Sequence, residues 1–184
     1  MSWDLEVDFV AVGSGLAGLT GAIKAHDMGA QVVVLEKAPK LGGVCAYSGG
    51  EVFVPDNHQM AAGGNAEDDT KGKAYFDFLA GGYADETLQG VLMRKGREAC
   101  QYVEERAGVR WRIIKDFPDY HYPHAPGTVA EGRYFECDLF EGKDLGPWQK
   151  KTYLTPHMPP GIPHEELFEW GSLSCILQWD FATM

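Results

Sequence analysis

The chain has 184 residues, with 16 basic against 27 acidic side chains and a net charge of −11. This length predicts one domain at most. The acidic excess argues against a nucleic acid partner, because phosphates would be repelled and no basic run offsets the charge locally. A hydrophobic content of 45% argues against disorder, and no apolar run approaches the roughly 20 residues that cross a bilayer. We expect a globular chain with no transmembrane segment.

The first residues and the cysteines indicate a compartment. The N-terminal six residues have neither the basic start nor the apolar core of a secretion signal, so the cytoplasm is expected. The four cysteines form no CxxC pair, which predicts reduced thiols rather than disulfides or a zinc site. These cysteines are Cys45, Cys100, Cys137 and Cys175.

The first forty residues predict a β-α-β unit. An apolar strand over 7–12 is followed by a helix from Leu16 to about Met28, which Gly29 ends in a left-handed conformation. A second strand covers 32–35, and its four consecutive apolar residues are typical of a strand inside a parallel sheet, covered on both faces.

The turn between this strand and helix carries a G-x-G-x-x-G motif, formed by Gly13, Ser14, Gly15, Leu16, Ala17 and Gly18. The first glycine permits a tight turn, the second lets backbone approach a pyrophosphate, and the third allows close helix–strand packing. Helix N–H groups then hold the diphosphate. Glu36 closes the second strand, 23 residues after Gly13, where a carboxylate accepts hydrogen bonds from a ribose diol and repels a 2′-phosphate. The sequence therefore predicts a Rossmann-like dinucleotide site, and this motif alone does not decide between NAD and FAD as the ligand.

Two double-glycine steps, Gly42-Gly43 and Gly49-Gly50, follow the second strand within nine residues. Close backbone approach by an extended ligand explains so many missing side chains. The alternative is a flexible surface loop.

The second part of the chain predicts a long helix that Asp85 caps and Gly108 ends, followed by a strand over 109–114. The acidic residues 67–69 predict a solvated helix start. Eight of the ten prolines lie in 118–163, which predicts extended loops with little regular structure.

With these motifs, the sequence resembles the flavoproteins of the fumarate reductase and succinate dehydrogenase superfamily, and within it the 3-ketosteroid Δ1-dehydrogenases. The resemblance covers roughly residues 4–155. The residues that carry it are V-G-S-G at 12–15, L-E-K at 35–37, G-G-x-x-A-Y-S-G at 42–49, Pro55, F-P-D-Y at 117–120, Gly132-Arg133 and Leu145-Gly146.

The resemblance implies a non-covalent FAD, because the histidine that tethers FAD in succinate dehydrogenases would fall near Gly43. The segment 42–50 is expected to run under the pyrophosphate towards the flavin. Val44 and Cys45 stand where relatives commonly carry Ser or Thr, so backbone contacts are expected there. The expected cofactor-binding residues are Gly13, Ser14, Gly15, Leu16, Ala17, Gly18, Glu36, Lys37, Gly42, Gly43, Val44, Cys45, Ser48, Gly49 and Gly50.

Tyr120 matches the tyrosine that, in ketosteroid dehydrogenases, lies against the substrate and assists proton abstraction. The family reaction removes a proton next to a ketone and passes a hydride from the adjacent carbon to flavin N5. A phenol needs activation by its neighbours to assist proton abstraction, because its ordinary pKa is about 10. The alternative is a packing role, since Phe117, Tyr122 and Tyr134 are also aromatic.

The expected fold is α/β, with a Rossmann-like FAD-binding domain built on a parallel sheet and the beginning of a second α+β substrate or capping domain. We expect the FAD-binding unit with its flavin-approach loop over 1–60, a helical and extended segment leading to the substrate site over 61–155, and an unassigned, truncated tail over 156–184.

The expected function is FAD-dependent 1,2-dehydrogenation of an apolar 3-ketosteroid or similar cyclic ketone, with an electron acceptor that the sequence does not identify. One alternative is a fumarate-reductase-like or other enoate enzyme, whose substrate carboxylate would need arginine and histidine anchors. The chain offers Arg133 and several histidines, in no pattern that can be assigned. Another alternative is a truncated, non-catalytic FAD-binding fragment.

Two weaker signals are interpreted structurally. His121 and His124 are three residues apart, but Pro123 and Pro126 break any helix that would align them, so no metal site is expected. Cys45 lies in an apolar segment and is expected to pack rather than to react.

Overall fold

The computed structural model describes residues 3–154. They form two compact units, one made of residues 3–50 with 140–154 and the other of residues 51–139. The tail expected over 156–184 lies outside the described residues, as does Cys175.

The first unit contains the predicted β-α-β arrangement. Strand β1 (Phe9–Val12) pairs in parallel with β2 (Val32–Leu35), with Phe9 opposite Val32, and helix α1 (Leu16–Asp27) connects them. Gly29 follows the helix at φ +90°, where a side chain would be strained. The sequence prediction for this unit is confirmed, including the left-handed glycine after the helix.

The two strands are less buried than their apolar composition predicts. Val12 is 85% exposed and Leu35 is 53% exposed, while Ala11 is buried. The reason is that the described sheet of this unit has two strands, and α1 is the helix that packs on both of them. The expectation of a strand covered on both faces is therefore wrong for the described residues.

Residues 140–154 also belong to the first unit. A 3₁₀ stretch, Gly142–Lys151, is interrupted at Gly146, whose φ of 54° and ψ of −129° are not helical. The backbone N–H of Leu41 donates to the Lys151 carbonyl at 2.7 Å, and that of Tyr153 donates to the Leu41 carbonyl at 2.9 Å. These bonds attach the segment beside the loop that follows β2.

The second unit combines helices with an antiparallel sheet of order β3-β5-β4. Its elements are β3 (Val52–Phe53), α2 (His58–Ala62), α3 (Asp69–Ala80), α4 (Glu86–Ala107), β4 (Trp111–Ile113) and β5 (Tyr134–Cys137). The strand predicted over 109–114 is thus confirmed as the shorter β4.

The proline-rich region is more ordered than predicted. Strand β5 pairs with both β3 and β4, so it is the central strand of its sheet, and the 3₁₀ stretch Gly142–Lys151 lies downstream. No proline falls within Tyr134–Cys137, so every residue of β5 can donate to a sheet hydrogen bond. The prediction of little regular structure from 118 onward is wrong for the described part.

The core of the second unit forms where α4 meets this sheet. Val54, Cys100 and Phe135 are buried together, with Trp111 packed against them. The Trp111 indole N–H donates to the Cys100 carbonyl at 3.1 Å, which satisfies the polar atom of a largely apolar ring. Asn57 is fully buried, and its side-chain amide donates hydrogen bonds to the carbonyls of Val54 and Gly132 at 2.8 Å each.

Among residues 3–154, none of the helices has the length and the apolar character of a transmembrane span.

The long helix α4 is amphipathic, and it starts and ends as predicted. The Asp85 carboxylate accepts from the backbone N–H of Thr87 and Leu88, and Gly108 follows in a left-handed conformation.

Replacement of this cap should destabilise the second unit. Asp85→Ala removes the acceptor for two helix N–H groups and should lower the free energy of unfolding by about 1 kcal/mol. Asp85→Asn is the matched control, because an amide oxygen still caps the helix. Urea denaturation measures both variants, and equal stability of the alanine and asparagine variants would contradict a capping role.

Candidate functional site

The glycine-rich turn leaves the N-terminus of α1 without a side-chain cap. Gly13, at φ +100°, makes the turn, and its N–H donates to the Leu35 carbonyl at 2.7 Å. Gly15 is the capping residue, and no side chain accepts from the first N–H groups of the helix. Those N–H groups and the positive end of the helix dipole suit an anionic ligand.

The glycines of the motif are needed for different reasons. A Cβ on Gly18 would overlap the carbonyl oxygen of Gly13, so the helix can pack against the turn only without a side chain there. A Cβ on Gly15 would meet no atom of residues 3–154 within 4 Å. The described residues therefore leave the space at Gly15 open, as expected for a position that a ligand approaches.

A hydrogen-bond network joins the turn to the end of β2 and to the following loop. Ser14, which is 1% exposed, donates to Glu36 Oε2 through its hydroxyl at 2.5 Å and its backbone N–H at 2.8 Å. Glu36 Oε1 accepts from the Ala38 N–H at 2.8 Å, and the Gly42 N–H donates to Ser14 Oγ at 3.0 Å. Ser14 thus connects Glu36 to the first double glycine.

These contacts determine the charge of Glu36. The hydrogen bond from the Ser14 hydroxyl, with smaller contributions from the Ala38 and Ser14 N–H groups, lowers the pKa of Glu36 to about 2. Glu36 is a carboxylate at neutral pH. Its Oε1 accepts from the Ala38 N–H, and a carboxylate oxygen has more than one lone pair, so it can also accept from a ribose hydroxyl.

The predicted ligand-approach loop begins against the turn. A Cβ on Gly43, whose φ is +56°, would lie 3.1 Å from the Cα of Gly15, so the two glycines approach closely. Residues Gly43–Ala46 form a 3₁₀ turn that Ser48 closes, because its N–H donates to the Val44 carbonyl at 3.1 Å. Farther along, the Gly50 N–H donates to Ser48 Oγ at 3.3 Å.

Several predicted contact residues of this unit are exposed. Val44 is 81% exposed, and Leu16, Ala17, Lys37 and Gly49 are also on the surface. Cys45 is an exposed free thiol, so the expectation that it packs in an apolar environment is wrong. Cys45 lies in the 3₁₀ turn Gly43–Ala46, in which no residue is buried.

A cavity of about 730 Å³ opens in the same unit beside Gly43 and Val44. Tyr47 and Tyr153 stack at its edge with ring centroids 4.5 Å apart, and Lys40, Lys150 and Lys151 add positive charge. The sequence did not indicate that residues 150–153 line this cavity, since no motif there points to a ligand. About 100 residues separate them from the loop that forms the other side of the cavity.

Tyr120, the predicted catalytic residue, lies in the second unit. It belongs to the loop of residues 115–132 between β4 and β5, called here the Tyr120 loop. Its side chain is 76% exposed, and its ring contacts Phe117 and Tyr134 at centroid distances of 6.4 and 5.8 Å. Phe117, Tyr120 and Tyr134 form an aromatic cluster, with the Tyr120 ring at its surface.

A buried arginine lies at the base of this loop. Arg133 is fully buried and donates to both oxygens of Glu67, at 2.8 and 2.7 Å, and to Asp119 Oδ2 at 2.6 Å. Because these carboxylates occupy the guanidinium, Arg133 is not placed to anchor a substrate carboxylate. The Glu67 side chain is 3% exposed, so its prediction as part of a solvated helix start is wrong, whereas Asp68 does cap α3.

The histidines of the Tyr120 loop do not assemble a ligand set. His121 contacts the Phe78 ring edge-on at 5.3 Å. Within residues 3–154, no group of three or more histidine, cysteine, aspartate or glutamate side chains could hold a metal ion.

The chain matches one protein family and is similar to several known proteins. Residues 8–175 match the family described as FAD binding domain. The chain is 32% identical over 142 residues to the 3-oxosteroid 1-dehydrogenase of Mycolicibacterium smegmatis, covering 77% of this chain and 25% of that protein. It is 36% identical over 174 residues to the 4-oxocyclohexanecarboxylate 2-dehydrogenase of Sinomonas cyclohexanicum, covering 94% of this chain and 30% of that protein.

Among solved structures, the chain is similar to a 3-ketosteroid delta1-dehydrogenase from Sterolibacterium denitrificans in complex with 1,4-androstadiene-3,17-dione. The TM-score is 0.74 at 30% identity, over 81% of this chain and 26% of that one. The chain thus spans about a quarter to a third of the length of the relatives it matches.

The close approach at Gly18 yields a direct test of the turn. Gly18→Ala should lower the free energy of unfolding by about 2 kcal/mol, because the new methyl group overlaps the Gly13 carbonyl. Gly21→Ala, in the same helix, is the control: its Cβ would lie 3.7 Å from the Phe9 ring, an ordinary contact. Helix propensity should make that variant more stable by about 0.5–1 kcal/mol. Thermal unfolding of both proteins checks the opposite signs, and equal effects would refute the packing argument.

Proposed function

Because the chain belongs to the FAD binding domain family, we propose that its first unit holds FAD non-covalently in a dehydrogenase that acts on a 3-ketosteroid or similar cyclic ketone. The observation that carries the cofactor assignment is the network of Ser14, Glu36 and Gly42 beside an uncapped helix with open space at Gly15. The named relatives, which act on oxosteroids and oxocyclohexane carboxylates, support the reaction.

The proposed cofactor contacts divide by chemistry. Backbone N–H groups of residues 15–18 hold the diphosphate at the helix N-terminus, and the ionised Glu36 accepts from the adenosine ribose. The segment 42–50 supplies further backbone contacts, which Val44 and Cys45 can make despite their side chains. FAD supplies a hydride acceptor when bound. Ser14 has a different role, since its buried hydroxyl is engaged by Glu36 and holds that carboxylate in place.

Tyr120 is the proposed proton-transfer residue of the reaction. A carbon next to a ketone loses its proton only with a base or a relay nearby, and a phenol can pass a proton through its hydroxyl. The Tyr120 side chain is exposed on the described unit, so it is accessible to a substrate, and aromatic contacts on one edge hold its ring. An apolar ketone would pack against such a cluster.

The buried position of Arg133 removes one candidate anchor of the enoate alternative. The enoate alternative needs cationic anchors, and the arginine considered for this role is paired with Glu67 and Asp119. The other alternative, a fragment that binds FAD without catalysis, is separated by experiment: flavin absorbance with no turnover of a 3-ketosteroid would favour it.

The cytoplasm is the compartment that we propose. Cys45, Cys100 and Cys137 have free thiols in the described structure, as is typical of a reducing environment. Burial raises the pKa of Cys100 to about 11, which keeps that thiol protonated and unreactive.

FAD binding should depend on the open space at Gly15. Gly15→Ala adds a methyl group that meets no atom of the described part of the chain, so the fold should persist. The affinity for FAD should fall by about tenfold or more, because the methyl group occupies the approach to the helix N-terminus. Flavin absorbance of the purified protein and a fluorescence titration measure this loss. Gly21→Ala should keep its flavin, and undiminished FAD binding by Gly15→Ala would place the diphosphate elsewhere.

Turnover should depend on the Tyr120 hydroxyl. Tyr120→Phe keeps the ring and its aromatic contacts, so flavin content should not change, whereas turnover of a 3-ketosteroid should fall by about 10²-fold or more. Tyr122→Phe is the matched control, because it removes a hydroxyl from the same loop. Reduction of an artificial acceptor, expressed per bound flavin, gives the rates. A Tyr120→Phe protein as fast as the unsubstituted one would exclude Tyr120 from the reaction.

A further inference from the structure

The Tyr120 loop is held by a buried ionic clamp at its base. Arg133 is 0% exposed and the Asp119 side chain is also fully buried, so their contact is shielded from water. Shielding strengthens the charge attraction, and the planar guanidinium can satisfy several acceptors in fixed directions. Its third acceptor, besides Glu67 and Asp119, is the Gly127 carbonyl at 2.7 Å. One side chain therefore fixes two points of the loop.

Asp119 transmits this constraint to Tyr120, its neighbour in sequence. The Asp119 N–H donates to the Val129 carbonyl at 3.1 Å, and the Val129 N–H donates to Asp119 Oδ2 at 3.0 Å. The same Oδ2 accepts from Arg133. These bonds close residues 119–129 into a short ring whose first residue precedes Tyr120, so the backbone that carries the phenol has little freedom.

Helix α3 supports the loop from a second direction. A Cβ on Gly127 would overlap the Lys71 carbonyl, so the loop tip packs directly on the helix backbone. Tyr75, 1% exposed, places its ring 5.6 Å from the Arg133 guanidinium. Burial, together with the neighbouring Asp119 carboxylate, raises the pKa of Tyr75.

We propose that Arg133 and Asp119 are positioning residues, which fix the Tyr120 hydroxyl for proton transfer without contacting the substrate. This inference rests on the proposed function of Tyr120. Neither residue is exposed enough to meet a substrate. Asp119 belongs to the loop that carries the phenol, and Arg133 donates to Asp119 and Gly127 of that loop. A displacement of about 1 Å in a reacting group can cost on the order of 10²-fold in rate, so a rigid loop has a direct kinetic value.

The test compares Asp119→Ala with Asp119→Asn in the FAD-loaded holoenzyme. The alanine removes the acceptor for Arg133 and Val129, whereas one amide oxygen can still accept from both. Turnover per bound flavin should fall about 10²-fold in Asp119→Ala and stay within a few-fold in Asp119→Asn, with flavin content unchanged in both. Glu136→Ala is the stability control, because it breaks a buried carboxylate–arginine contact on β5, outside the loop, and should keep its turnover per flavin.

A double-mutant comparison shows whether the clamp acts through Tyr120. In a Tyr120→Phe background, Asp119→Ala should cause no further loss, since the group that it positions is already absent. Multiplying effects would overturn the inference, as would unchanged turnover in Asp119→Ala. If Tyr120→Phe itself has full turnover, the proposed function of Tyr120 fails; if only Tyr120→Phe is slow, the positioning role fails alone.

Proteolysis gives a readout that needs no substrate. Chymotrypsin cleaves after Tyr120, and opening of the loop should make this cleavage about tenfold faster in Asp119→Ala than in Asp119→Asn. Equal cleavage rates in the two variants would contradict the clamp, whatever the turnover.

Discussion

The first unit depends on one carboxylate. Glu36 ends β2, and the hydroxyl and N–H of Ser14 donate to it across the turn that opens α1. The same serine hydroxyl accepts from Gly42, where the next loop begins. Strand end, turn and loop are thereby fixed by a single charge-assisted network, whose geometry comes from residues 22 and 28 positions apart. A cofactor that contacts all three segments would find them already arranged.

The second unit is organised around a buried cation. Arg133 has two carboxylate partners, and a desolvated guanidinium is tolerated only when such partners satisfy its donors. The cost of burying these charges favours this arrangement, because a loop conformation without these contacts would leave a buried charge unpaired. Burial raises the pKa of Asp119, and the Val129 N–H and Arg133 counteract that rise. The same carboxylate oxygen therefore takes part in the ion pair with Arg133 and in the hydrogen bond from Val129.

Local signals were predictable from the sequence, and distant pairings were not. The glycine motif, the Asp85 cap and the glycine that ends α4 each act within a few residues, so their spacing alone predicts the structure. Glu67 and Arg133 are 66 residues apart, and nothing in an acidic run at a helix start indicates that one carboxylate turns inward. The central position of β5 and the return of 140–154 to the first unit likewise depend on pairings between distant segments.

The glycines of the G-x-G-x-x-G motif are present for different physical reasons. Gly18 is required by contacts that the folded chain makes with itself, so its presence indicates only that the helix packs on the turn. Gly15 meets no such contact among the described residues, so the fold alone does not account for its missing side chain, and the cofactor approach proposed above does. Composition and spacing cannot separate these two cases, because both produce the same letter. The distances around each position show which glycine the described fold requires and which it does not.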